Sequence, residues 1–127
     1  MRESRRLGYV SGAPGSGKTS LAVPLAADAP AVVIEANFRP YSEYERGKLA
    51  GLAARPVEVH CDCPAEVAVQ RYNSRVTHAV HVVKRLKLAA MAEYDRPVGI
   101  GPLVRVGTTR PVDVVGMAKE VRGHLGA

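Results

Sequence analysis

Eight residues near the N-terminus, Gly12-Ala13-Pro14-Gly15-Ser16-Gly17-Lys18-Thr19, constrain this chain more than any other stretch. Gly12 and Gly17 have four residues between them and are followed at once by a lysine and a hydroxyl residue, the spacing of a phosphate-binding loop. Such a loop needs a strand before it and a helix after it. Leu7-Gly8-Tyr9-Val10 reads as a short buried strand and Thr19 to Ala27 as a helix. Gly12, Gly15 and Gly17 let the backbone curl without Cβ clashes, so that successive N–H groups point into one concavity. The helix adds unpaired N–H groups and its positive dipole end at the same spot. In this arrangement Lys18 would bridge the β- and γ-phosphates of a nucleotide and the Thr19 hydroxyl would hold Mg²⁺.

The remaining chain alternates strand-like and helix-like segments. Ala31-Val32-Val33-Ile34 is a continuous apolar run, the pattern of a central parallel strand, and delivers Glu35, Ala36 and Asn37 at its end. Pro24 should kink or shorten the helix before it. Ser42-Glu43-Tyr44-Glu45 reads as a capping box opening a helix that turns Leu49, Leu52 and Ala53 inward. Val57 to Cys61 is a third strand, and Pro64 suits the first turn of a helix with Ala65, Ala68, Val69, Tyr72 and Val76 on one face. A helical pattern continues from His78 to Tyr94. After a glycine- and proline-rich loop, Leu103 to Val106 is a fourth strand, and Asp113 caps a last helix carrying Val114, Ala118, Val121 and Leu125. Strands alternating with helices predict a three-layer α/β fold, a parallel sheet of about four strands covered on both faces.

A length of 127 residues suits a single domain spanning the whole chain, 1–127. No apolar run reaches the roughly 20 residues of a membrane span, so no membrane partner is expected and a cytoplasmic location is. The net charge of +6 suits an anionic ligand. It would also suit nucleic acid, but aromatic residues make up only 5% and offer no stacking platform. Lys84-Arg85-Leu86-Lys87 is expected to be a solvated helix face rather than a grip on a phosphate backbone. His60-Cys61-Asp62-Cys63 invites a zinc reading, but tetrahedral sites need four well-spread ligands and no second cluster follows. The cysteines are therefore expected at buried or cap positions.

In motif and element order the chain resembles small P-loop kinases of the AAA-33 type, relatives of the zeta toxin, chloramphenicol phosphotransferase and polynucleotide kinase groups. The resemblance runs through Gly12–Thr19, Val33-Ile34-Glu35-Ala36-Asn37-Phe38-Arg39-Pro40, and His60-Cys61 with Pro64-Ala65-Glu66. It continues in Arg71-Tyr72 with Arg75 and in Thr108 to Asp113. It implies a P-loop NTPase fold and an ATP-binding (or GTP-binding), Mg²⁺-dependent protein. Such a protein moves the γ-phosphoryl group to a small-molecule or nucleotide hydroxyl, or to water. Gly12, Ala13, Pro14, Gly15, Ser16, Gly17, Lys18, Thr19 and Ser20 would then hold phosphates and metal. Arg71 and Arg75 would belong to a lid closing over the transferring group, and Glu35 would act on Mg²⁺ through water or on the substrate.

The chain also departs from that family. A second strand and adjoining helices, which usually supply an aspartate general base, are missing between the phosphate-loop helix and the strand ending at Glu35. With the family strand order 2-3-1-4-5, the loss removes an edge strand and leaves an exposed sheet edge, open to homodimer formation. Thr77-His78-Ala79-Val80-His81 stands where an Arg-His-Pro-Gly-His lid segment is expected, and Gly107 where an aspartate is expected. These departures motivate a second reading, a catalytically degenerate nucleotide-binding remnant or sensor. A basic nucleic-acid-binding module is a third.

Overall fold

The computed structural model describes residues 6–28, 32–52, 55–78 and 88–125. Four parallel strands form the sheet: β1 (Arg6–Ser11), β2 (Val32–Glu35), β3 (Arg55–Asp62) and β4 (Leu103–Gly107), in the order β2-β1-β3-β4. The helices are α1 (Lys18–Asp28), α2 (Glu43–Leu52), α3 (Ala65–His78) and α4 (Val114–Leu125). Parallel pairing gathers the strand C-termini, and with them Ser11, Glu35, Asp62 and Gly107, at one end of the sheet. That is the end where open α/β sheets hold ligands.

Side chains alternate across the strands, so each strand feeds two different environments. Val10, Val57, Val59, Val104 and Val106 point to one face, where Leu21 and Leu25 of α1 pack with Ala118, Val121 and Leu125 of α4 in a continuous apolar core. Asp113 caps α4 as expected, its Oδ1 accepting from the Gly116 N–H at 3.0 Å. On the opposite face Tyr9, Leu49 of α2 and Val98 form a smaller cluster joined by Ile34, Phe38 and Ile100, with Phe38 edge-on to Tyr9.

Several expectations change. The run Val32–Ile34 is not a central strand. It pairs only with β1, and Val32 is 66% exposed, because no further strand among the described residues covers its outer edge. The helix α1 continues through Pro24 to Asp28. Half of the capping box forms, with Glu45 N–H donating to Ser42 Oγ at 3.2 Å. The Glu45 carboxylate reaches past Ser42 instead, accepting from the Arg39 N–H at 3.0 Å and facing the Arg39 guanidinium. Only Leu49 of the expected α2 stripe is buried. Leu52 is 53% exposed, since the cluster it would join closes around Tyr9 and Phe38, and Ala53 lies outside the described residues.

Of the helix expected over 78–94, His78 is the last described residue of α3, Leu88–Tyr94 is a 3₁₀ helix, and residues 79–87 lie outside the described residues. The basic run 84–87 falls outside the described residues. A three-residue turn stacks Leu88, Met91 and Tyr94 along one line, and Met91 alone of the three is fully buried. One anchor of this kind does not require the broader stripe of an α-helix.

Candidate functional site

The loop joining β1 to α1 takes its shape from three glycines with positive φ: +135° at Gly12, +82° at Gly15 and +97° at Gly17. Two of them are also needed for space. A Cβ on Gly12 would stand 2.6 Å from Ser16 Oγ, and one on Gly15 would stand 2.1 Å from the Ala68 carbonyl oxygen of α3. The Ser16 N–H donates to the Ala13 carbonyl at 3.0 Å and closes the turn. Lys18, the first residue of α1, is buried and folds its Nζ back onto the same carbonyl at 2.9 Å. Thr19 Oγ1 donates to Glu35 Oε1 at 3.1 Å, so the hydroxyl at the helix start and the acid at the end of β2 meet.

Two hollows meet along this loop, both lined by Gly15, Gly17 and Ser20. One, of about 210 Å³, adds Pro14, Lys18, Thr19, Glu35 and Asn37. The other, of about 490 Å³, adds Leu21, Arg71, Thr108, Arg110 and Val112. Together they make a trough with a lysine, a hydroxyl and a carboxylate at one end and two arginines with apolar walls at the other. Such a trough can take an elongated anion whose charged part sits over the loop and whose uncharged part lies beyond Gly17.

The sequence-predicted residues come together in part. Pro14, Gly15, Gly17, Lys18, Thr19, Ser20 and Glu35 line the small hollow, whereas Gly12, Ala13 and Ser16 shape the loop without lining it. Arg71 belongs to the larger hollow, its Nη2 donating to the Thr108 carbonyl at 2.8 Å and its Nη1 lying 3.7 Å from Cys63 Sγ. That contact ties α3 to the end of β4 and holds the guanidinium beside Gly17. The Arg75 side chain lies outside the described residues. Gly107, where an aspartate was expected, ends β4, and Thr108 and Arg110 provide the polar atoms that line the trough there.

Sequence reasoning missed a second polar constellation on the face of the sheet opposite α1 and α4. Glu58, in the middle of β3, is fully buried and accepts from the Ser11 hydroxyl at 2.5 Å and from the Val98 and Gly99 N–H groups at 2.7 and 2.9 Å. The Tyr9 hydroxyl sits 3.2 Å from Glu58 Oε1, donates to the Ile100 carbonyl at 2.5 Å and accepts from the Ile100 N–H. Burial pushes the Tyr9 phenol well above its ordinary range.

Ser11 Oγ also meets His60 Nδ1 at 2.9 Å. Beyond His60, Asp62 takes a two-pronged pair of hydrogen bonds from Arg105, at 2.8 and 2.9 Å. Those bonds hold the Asp62 carboxyl below its usual range, while burial holds the His60 imidazole below its own. Cys61 is buried in the apolar core on the other face, its thiol pushed up to about 12 by burial, and is chemically quiet. The available signal was the carboxylate of Glu58 between Val57 and Val59, a charge whose strand neighbours on both sides are apolar.

No protein-family model matches the chain, and no curated protein does. Solved structures do. A structure described as a candidate kinase from Chloroflexus aurantiacus superposes with a TM-score of 0.78 at 22% identity, covering 99% of this chain and 98% of its own. A sugar kinase from a Janibacter species gives a TM-score of 0.63 at 13% identity, over 98% of this chain and 95% of that one. A gluconokinase from Sinorhizobium meliloti gives 0.60 at 14% identity, over 99% and 94%. A parallel four-stranded sheet between helices, with a glycine loop leading from β1 into α1, is thus the fold this chain shares with kinases of the P-loop kind.

Proposed function

We propose that the chain binds ATP or GTP with Mg²⁺ in the trough along Gly12–Ser20 and transfers the γ-phosphoryl group to a small-molecule or nucleotide hydroxyl, water being the default acceptor. The observation that carries this reading is the loop itself. Three positive-φ glycines shape the loop, and two of them, Gly15 and Gly17, line one hollow with a buried lysine and the start of α1. That hollow shares Gly15, Gly17 and Ser20 with a second one large enough for a nucleoside. The kinase names carried by proteins of the same fold support it as well.

The residues present fit these groups. Backbone N–H groups of a glycine nest and a helix N-terminus favour a polyphosphate. Lys18 Nζ would exchange the Ala13 carbonyl for phosphate oxygens. Thr19 Oγ1 and Glu35 Oε1 are hard oxygen donors of the kind Mg²⁺ prefers, directly or through water. When bound, the metal would neutralise charge on the phosphate oxygens. Arg71, held beside Gly17 by Thr108, is positioned to cover charge on the nucleotide, and Arg110 adds a second cation to the same hollow. Glu35 is the acid lining the small hollow. Its contact with Thr19 favours a metal-shell role for it over that of a proton acceptor.

Calorimetric titration with Mg-ATP tests the reading. Wild-type protein should bind, and Lys18→Ala should lose binding. Equal affinity in the two proteins would overturn the assignment. Glu35 and Thr19 being joined also favours, as the second reading, a nucleotide-binding protein without efficient transfer. A phosphorylated product found when nucleosides, sugars, aminoglycosides and nucleic-acid 5′ ends are offered with Mg-ATP would dispose of that alternative.

A further inference from the structure

A second cleft, of about 520 Å³, opens on the far side of the loop residue Ala13, between the ends of β3 and β4, the start of α3 and the 3₁₀ helix. One wall is the line Leu88, Met91 and Tyr94. The facing wall carries His60 and Asp62, and Glu66 and Asp95 stand among its lining residues. Among the described residues that line it, three carboxylates, Asp62, Glu66 and Asp95, face one cation, Arg105, whose Nε and Nη2 are committed to Asp62.

His60 gives the cleft a direction. The residue is only 6% exposed. Ser11 has a single hydroxyl proton and donates it to Glu58 Oε2, so the 2.9 Å contact with His60 Nδ1 requires the imidazole proton to sit on Nδ1. Burial keeps the ring neutral at pH 7, and Nε2 therefore carries a bare lone pair. The neighbour of that lone pair is Asp62 Oδ1 at 3.6 Å, itself an acceptor. His60 thus lines the cleft with no donor among the described residues on its Nε2, beside carboxylates. Among the described residues no three His, Cys, Asp or Glu side chains converge on a point that would hold a metal ion. The acceptors are spread for a ligand with several donor hydrogens, next to an apolar wall that would take its carbon body.

We propose that this cleft binds a small primary amine with an apolar or aromatic body, its ammonium group donating to His60 Nε2 and the Asp62 carboxylate and its body lying along Leu88, Met91 and Tyr94. Apart from Ala13, which belongs to the glycine loop, the site is built from residues separate from the nucleotide trough, and it does not depend on the reading given for that trough.

The probe is benzylamine, titrated at millimolar concentrations into the full chain and followed by calorimetry and by ¹⁵N resonances of the histidine side chains, with benzyl alcohol as the uncharged match. Benzylamine should bind and shift the His60 Nε2 resonance, and benzyl alcohol should bind about tenfold more weakly or worse, as expected for loss of a charge-assisted hydrogen bond. His60→Ala should weaken benzylamine by a similar factor. The surface pair Glu66→Gln with Asp95→Asn, which leaves the buried network intact, should weaken it too. Lys18→Ala should bind benzylamine unchanged even where Mg-ATP binding is gone, which separates the two sites. Equal affinities for amine and alcohol, an unmoved His60 resonance, or benzylamine binding that ignores both His60→Ala and the surface pair would overturn the proposal.

Discussion

The two faces of the sheet are built on different terms. Toward α1 and α4 the strands present valines, and the helices answer with leucines, alanines and a further valine, so that face is held by non-directional burial. Toward α2 and the 97–101 segment the same strands present Tyr9, Ser11, Glu58 and His60, linked by hydrogen bonds, and beyond them the pair Asp62 and Arg105. The apolar face tolerates changes of shape at a graded cost. The polar face does not, because a lost partner there leaves another polar group stranded. The stretch that forms the glycine loop starts from Ser11, a member of the polar set, and enters α1, a member of the apolar one. The loop is therefore positioned by both.

Glu58→Ala should be the largest breach, costing about 4 kcal/mol in urea unfolding, since it strands the buried Val98 N–H, the Gly99 N–H and the Ser11 hydroxyl and leaves a void. Glu58→Gln keeps one acceptor oxygen and should recover about half of that. A loss below about 1 kcal/mol in Glu58→Ala would show that the polar face is not held by its carboxylate. On the other face Leu25→Ala, at a fully buried α1 position, should cost about 3 kcal/mol through lost burial and cavity formation. Unlike Glu58→Ala, it should leave the side-chain ¹⁵N signals of His60 in place. Movement of those signals in Leu25→Ala would mean that the two faces are not independent.

The smallest effect concerns pH. The folded protein holds His60 below its ordinary 6.5, so the unfolded chain binds the proton more readily. The corresponding stability is present above about pH 6.5 and is lost as pH falls from there toward the folded value. Melting temperatures measured between pH 7.5 and 5 should fall for the wild type and fall less for His60→Gln. Identical profiles would remove burial of the imidazole as a cause of acid sensitivity.

Much of this was legible in the chain. The glycine loop announces itself because backbone curvature of that kind needs glycine at fixed spacing. The helix packed on the apolar face after Asp113 was visible because periodicity of 3.6 and a capping carboxylate act locally. What escaped had non-local causes. Whether Val32 is central or peripheral depends on a neighbour the sequence does not place, and among the described residues β1 alone pairs with its strand. Whether Leu52 is buried depends on the reach of the cluster around Tyr9. The run Leu88–Tyr94 shows apolar residues that fit either a three- or a 3.6-residue repeat over so short a length. The role of Glu58 depends on a tyrosine 49 residues away and on backbone N–H groups 40 and 41 residues on. No window along the chain contains all of them.

The contact of Gly15 with the Ala68 carbonyl has a mechanical consequence. With no room for even one methyl group between loop and helix, the two abut backbone to backbone. α3 has no room to move closer to the loop at that point, and Arg71, one turn beyond the contact, is carried by the same helix. Any side chain at position 15 would push the helix away there and move the arginine with it.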